Sequence, residues 1–154
     1  MIQVSVGDNA LLARLNAMPD KVRSSLKAGM TKLALDLIEY IKSTHLSAPE
    51  GFSATDLHRV SGQLQRSLQQ KVTADDRGVS ALVYTDKTTQ AYAYIHEYGA
   101  SFNKMVHMAW GKEMKEPHEA HFNYPDRSFM RSSLKEQTEV ITDGIKEAVA
   151  VGLK

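Results

Sequence analysis

The side chains whose types and spacing come nearest to chemistry are two histidines in the run Pro117-His118-Glu119-Ala120-His121. On a helix, a three-residue step sets both imidazoles on roughly one side, as a metal pair requires. The helical metalloprotease signature differs: its histidines are four residues apart, with a glutamate directly after the first. Pro117 and Asn123 also crowd this segment, so a solvated polar loop is the stronger reading, and His107 joins the pair only if the chain folds back. His96-Glu97 is a second candidate, because an imidazole beside a carboxylate titrates near neutrality. Adjacent helical residues point about 100° apart, however, and do not naturally share a substrate. The chain has neither a Gly-x-Ser-x-Gly elbow nor a phosphate-binding glycine loop; its nine glycines stand singly, and there is no cysteine. Thiolate catalysis, cysteine-ligated zinc and disulfides are therefore excluded. The expectation is a protein that is not an enzyme, with no catalytic residue, no resident metal and no cofactor.

Glu97 has another reading. A short helix stopped by Gly99 would hold this carboxylate in its last turn, where the helix dipole disfavours negative charge by ~0.3–1 kcal/mol. Either Glu97 is simply solvated, or a cation compensates it, and Arg127 and Arg131 are the candidates.

Charge narrows the partners. The 154 residues carry 19 basic and 18 acidic side chains, for a net charge of +1. Such balance supplies no global attraction to nucleic acid or an anionic membrane. Arg59, Arg66 and Lys71 are the nearest thing to a basic patch, and no basic run accompanies them. No apolar stretch approaches the ~18 residues of a membrane span, and Met1–Val6 lacks the layout of a signal peptide. Folding in a cytoplasm is the expectation.

The elements that must position these residues follow from periodicity. Ile2, Val4 and Val6 alternate as a short strand. Gly7-Asp8-Asn9 breaks it, and Leu11, Leu12, Leu15 and Met18 lead to Pro19. Val22, Leu26, Met30, Leu33, Leu37, Ile38 and Ile41 then recur in steps of three and four, which predicts a long helix to about Thr44. Residues 47–55 have loop composition, and 61–68 suit one or two helical turns. A hairpin is expected between 71–74 and 79–85, turning at Asp75-Asp76-Arg77-Gly78, with Val79, Ala81 and Val83 sharing one face. Thr88 or Thr89 caps a short helix over 91–98, and 125–154 reads as one terminal helix with Pro125 or Asp126 near its start. The order implies a single α+β domain over 1–154, with long N-terminal and C-terminal helices on a small antiparallel sheet.

Residues 100–124 form the least regular stretch, an arm with weak alternation from Met105 to Trp110 that suits a hairpin. It holds Phe102, Met105, Met108, Trp110, Met114, Phe122 and Tyr124, too many apolar groups to leave singly in water. Either they fold back on the core or another chain buries them, and methionine and tryptophan are enriched at protein interfaces.

Three local patterns occur in fixed order around the hairpin. Ser61-Gly62-Gln63-Leu64-Gln65-Arg66-Ser67 precedes it, Tyr92-Ala93-Tyr94-Ile95-His96-Glu97-Tyr98-Gly99 follows it, and Pro125-Asp126-Arg127-Ser128-Phe129-Met130 opens the terminal helix. Together they resemble the head–tail joining or tail-completion proteins of tailed bacteriophages, the neck, minor tail and virion-morphogenesis proteins. The matching positions are Ser61, Gly62, Leu64, Ser67, Tyr92, Ala93, Glu97, Gly99, Pro125, Arg127 and Phe129. Asp126 departs from the small residue usual there, and the 100–124 arm is long for the family. The resemblance implies a non-catalytic virion component, a homo-oligomeric ring (often of six subunits) between portal and tail tube that touches neighbouring neck or tail proteins. DNA would pass through such a ring without specific binding, and assembly would occur in the bacterial host's cytoplasm. Tail terminator and minor tail protein are the alternatives within the resemblance.

Overall fold

The computed structural model describes residues 2–4, 20–47, 62–75, 78–109 and 112–154, of which 2–4, 107–109 and 112–117 are described by backbone alone. The expected apolar pattern at Leu11–Met18, all but the first residue of the loop expected at 47–55, Ser61, Arg59 and Trp110 lie outside the described residues. The fold is α+β, with helices packed on a small antiparallel sheet and a second, separate two-stranded ribbon.

The sheet has the order β1-β3-β2, with β1 Ile2–Val4, β2 Leu68–Asp75 and β3 Gly78–Thr85. β2 and β3 pair along their whole lengths, from Leu68 opposite Thr85 to Asp75 opposite Gly78, while β1 covers only Ala81–Val83 of β3. In β3, Val79, Ala81 and Val83 are buried and the residues between them are half-buried. This is the alternation of a sheet with one face on the core.

Helix α1, Asp20–Tyr40, lies against that face. Of the apolar stripe read from the sequence, Val22, Leu26, Met30, Leu37 and Ile38 are buried, while Leu33 is half-buried and the neighbouring Ala34, not part of that stripe, is buried instead. The helix runs on as a π-helical turn, Ile41–His45, closed by the Leu46 N–H donating to the Ile41 carbonyl at 3.2 Å. Gln65, on the short helix α2 (Gln63–Ser67), holds the end of this turn by donating to the Leu46 carbonyl at 2.7 Å.

Residues 125–154 do not form one helix. α4 spans Phe129–Glu136 and α5 spans Thr138–Gly152, so the helix begins four residues later than expected and is interrupted at Gln137. At the interruption, the Thr138 hydroxyl donates to the Leu134 carbonyl at 2.9 Å, a local bond that competes with the helical ladder. α5 packs on α1 at very close range: a Cβ on Gly29 would lie 2.5 Å from the Cβ of Ala148. Phe129, 1 % exposed, anchors α4 in the core beside Met130 and Leu37.

Between sheet and ribbon lies α3, Gln90–Tyr98. Thr89 stands at its N-cap, as expected, but makes no side-chain cap bond; Asp86 closes the turn ahead of the helix. The Thr89 N–H donates to Asp86 Oδ1 at 2.9 Å, and both Thr88 and Thr89 hydroxyls donate to the same oxygen at 2.7 Å. These bonds hold the Asp86 carboxyl below its ordinary titration range.

Candidate assembly surface

The ribbon consists of β4, Ala100–Ala109, and β5, Lys112–Tyr124, paired antiparallel from Ala100 opposite Tyr124 to Ala109 opposite Lys112. The arm is thus ordered strand where the sequence reads as its least regular part. The register shifts between Val106 and Met108. Such a bulge resets the two-residue alternation, so no single period runs through the segment.

At the root of the ribbon, α3 meets the start of α4 through Glu97, which is 4 % exposed. The backbone N–H groups of Met130 and Arg131 donate to its two carboxylate oxygens, each at 2.9 Å. The Ser128 hydroxyl donates at 3.2 Å and Arg131 Nε at 3.0 Å, while Arg131 Nη2 reaches the Glu97 carbonyl at 2.7 Å. A carboxylate from one helix thus caps the N-terminus of another, where free N–H groups and the helix dipole favour negative charge. Of the two arginines expected near Glu97, Arg131 makes the pair, and its guanidinium also lies 4.6 Å from the Tyr98 ring centroid. Arg127 instead donates its backbone N–H to the His96 carbonyl at 2.7 Å, and its Nε is buried without a hydrogen-bond partner among the described residues. His96 is buried against Tyr92, with ring centroids 4.3 Å apart. Burial, and then the Arg127 charge, hold its imidazole below the ordinary value.

Gly99 makes the turn from α3 into β4 with φ 71° and ψ 168°. Only glycine enters this region readily. A Cβ there would lie 2.9 Å from the Tyr124 carbonyl oxygen and 3.0 Å from the Asp126 nitrogen. Both strands of the ribbon therefore leave the body through one tight junction.

Beyond the junction the strand alternation sorts the side chains. Ala100, Phe102, Lys104 and Val106 share a face with Tyr124, Phe122, Ala120 and His118. Phe102, Phe122 and Tyr124 stack on that face, with centroid separations of 5.8, 5.9 and 6.5 Å. Phe102 and Tyr124 nonetheless remain 38 % and 40 % exposed. The other face is polar: His121 bonds Asn103 Oδ1 at 2.6 Å and the Ser101 hydroxyl at 3.1 Å, with Met105 exposed nearby. No described side chain of the ribbon belongs to the buried core.

The geometry separates the candidate metal residues. On a strand a three-residue step puts side chains on opposite faces, so His118 and His121 are not a pair. No group of three or more potential metal-ligating residues occurs among the described residues. Glu97, with its carboxylate engaged as a cap, is not paired with His96 for acid–base work. Of the possible basic patch, Lys71 lines a cavity of about 360 Å³ with Lys87, Tyr84, Tyr94 and Tyr98, and Arg66 lies on α2.

The motif positions fall into two groups. Glu97, Gly99, Pro125, Arg127 and Phe129 come together at the root of the ribbon, with Ala93 buried one helical turn before Glu97. Tyr92 shields His96 from outside while staying exposed. Gly62, Leu64 and Ser67 form a second site at α2: Gly62 starts the helix with φ 64°, Leu64 is in the core, and buried Ser67 donates to the Leu64 carbonyl at 2.8 Å. The Ser67 carbonyl accepts from Asp86 N–H at 3.0 Å, which ties this site to the cap of α3. Met108 and Met114 lie within the strands, without described side chains. Asp86, which organises the turn into α3, was missed from the sequence, although an aspartate three residues before an N-cap threonine is a recognisable turn signal.

No protein-family model, curated protein or solved structure matches the chain. No helix among the described residues is long and apolar enough to cross a membrane.

Proposed function

We propose that this chain is a non-catalytic structural protein of a tailed-bacteriophage particle, joining head to tail as one subunit of a ring between portal and tail tube. The observation that carries the reading is the ribbon: an exposed aromatic face on two strands that leave the body through one tight, Glu97-braced junction. Apolar rings presented on a braced strand pair lose little conformational freedom on docking, which favours association with another protein. The ordered motifs support the phage assignment, and five of their positions converge on the junction. A net charge of +1 suits a ring through which DNA slides without being held. The protein then resides in the virion at the head–tail junction, assembled in the host cytoplasm beside neighbouring neck or tail proteins.

Electron microscopy of particles made without the protein tests this reading. Filled heads beside separate tails are the expected outcome. Tails of abnormal length would assign the chain to tail termination instead, and intact, infectious particles would remove the virion role. A paired Phe102→Ala and Phe122→Ala variant should reproduce the loss while the protein still folds.

A further inference from the structure

We propose that the ribbon's aromatic face docks into the groove between α1 and α5 of a second copy of this chain. The inference rests on the assembly reading and names the two surfaces that join neighbouring subunits. The groove has a volume of about 600 Å³, with Ala28, Leu33, Val140 and Val151 supplying apolar surface. Val140 and Val151 are more than half exposed, and no described residue covers them. Among the described residues its charged lining is Asp36, Asp143 and Glu147 against Lys32, with Asp143 also bonded to Lys146 at 2.8 Å. The ribbon face carries the complementary set: three stacked rings, with Lys104 and His118 on the same side and no carboxylate among the described side chains of that face.

Dimensions agree as well. From Ser25 to Asp36 the groove follows eleven helical steps, about 16 Å. From Ala100 to Val106 the ribbon face covers six strand steps, about 20 Å. The smaller cavity at α3 is a poorer receiver, because Lys71 and Lys87 would face Lys104 with like charge. Ribbon and groove are different surfaces, so the contact is head to tail and propagates from copy to copy. It closes into a ring when the rotation per subunit permits.

The absence of cysteine makes the test clean. Full-length Ala120→Cys and Glu139→Cys proteins, which keep every ring and the groove's apolar lining, would be mixed and treated with a short bismaleimide, with sedimentation velocity run in parallel. The mixture should give a cross-linked dimer containing one copy of each, and neither protein alone should cross-link. Lys104→Glu or Glu147→Lys should weaken self-association about tenfold, and combining them should restore much of it. Oligomers without the mixed cross-link would move the interface elsewhere. Ala120→Cys cross-linking to itself would indicate a two-fold contact, and a monomer at about millimolar concentration would end the proposal. The virion reading is judged separately. Defective particles without the cross-link would remove only the docking mode, whereas the cross-link with normal particles would remove only the virion role.

Discussion

Glu97 shows how one side chain can brace a junction between elements distant in sequence. Its carboxylate accepts from two backbone N–H groups, a hydroxyl and a guanidinium, all 31 to 34 positions away. Glu97→Ala would leave the first N–H groups of α4 buried without an acceptor, a loss of about 2–4 kcal/mol when cap and charge-assisted bonds are combined. In a chain of this length the melting midpoint should fall by roughly 5–15 °C. Glu97→Gln, which keeps one acceptor oxygen, should fall between Glu97→Ala and the wild type. A midpoint within about 2 °C of wild type for Glu97→Ala would contradict the capping role. The neighbouring His96 makes a second residue-scale prediction. Its folded-state pKa is depressed, so between that value and the unfolded value of about 6.5 the unfolded chain holds more protons. Stability is therefore complete above about pH 6.5 and declines as the pH falls through that window. Urea midpoints of wild type and His96→Gln, measured across the window, should converge toward low pH as the wild-type advantage disappears; parallel curves would refute it.

At the scale of elements, Gly99 sets the angle at which β4 leaves α3. Gly99→Ala places a Cβ against two backbone atoms at a conformation reserved for glycine, at a cost of about 2–5 kcal/mol. Thermal melting should register that cost, and β4 should lose amide protection more than β3 in hydrogen exchange; unchanged protection in β4 would mean the junction does not control the ribbon. Gly99 was legible in sequence as a helix stop, and so was the buried face of β3, because Val79, Ala81 and Val83 alternate strictly. The stripe of α1 was nearly as plain, since Val22, Leu26, Met30, Leu37 and Ile38 recur at helical spacing and are buried. The ribbon was legible only as a weak alternation that suits a hairpin, and its register was not, because the shift between Val106 and Met108 changes which residues share a face partway along. The start of α4 was misplaced for another reason: Ser128 is its N-cap, a local signal passed over in favour of Pro125 or Asp126, and the bonds that cap it arrive from α3. Glu97's need for a cation could be argued from helix electrostatics, but selecting Arg131 over Arg127 required the relative placement of two helices.

At the scale of the whole molecule, the body holds the buried core and the ribbon holds the surface proposed for docking. The buried core draws on α1, the π-turn, α2, the sheet and α3–α5, while the ribbon's described side chains contribute nothing to it. The strands leave and return at Ala100 and Tyr124, which are directly opposed. An Asn-Gly pair replacing residues 101–123 would therefore close the chain as a two-residue hairpin turn, without straining Gly99 or displacing Pro125. The shortened protein should retain the wild-type melting midpoint to within about 4 °C, since it forfeits roughly 1 kcal/mol or less of contact with the body. It should lose self-association at every concentration at which the full chain sediments as an oligomer, and particles carrying it should fail to join. A large drop in the melting midpoint would show the ribbon to be part of the folding unit, and retained association would place the subunit contact on the body. Holding the fold constant while removing only the ribbon is what makes either result decisive.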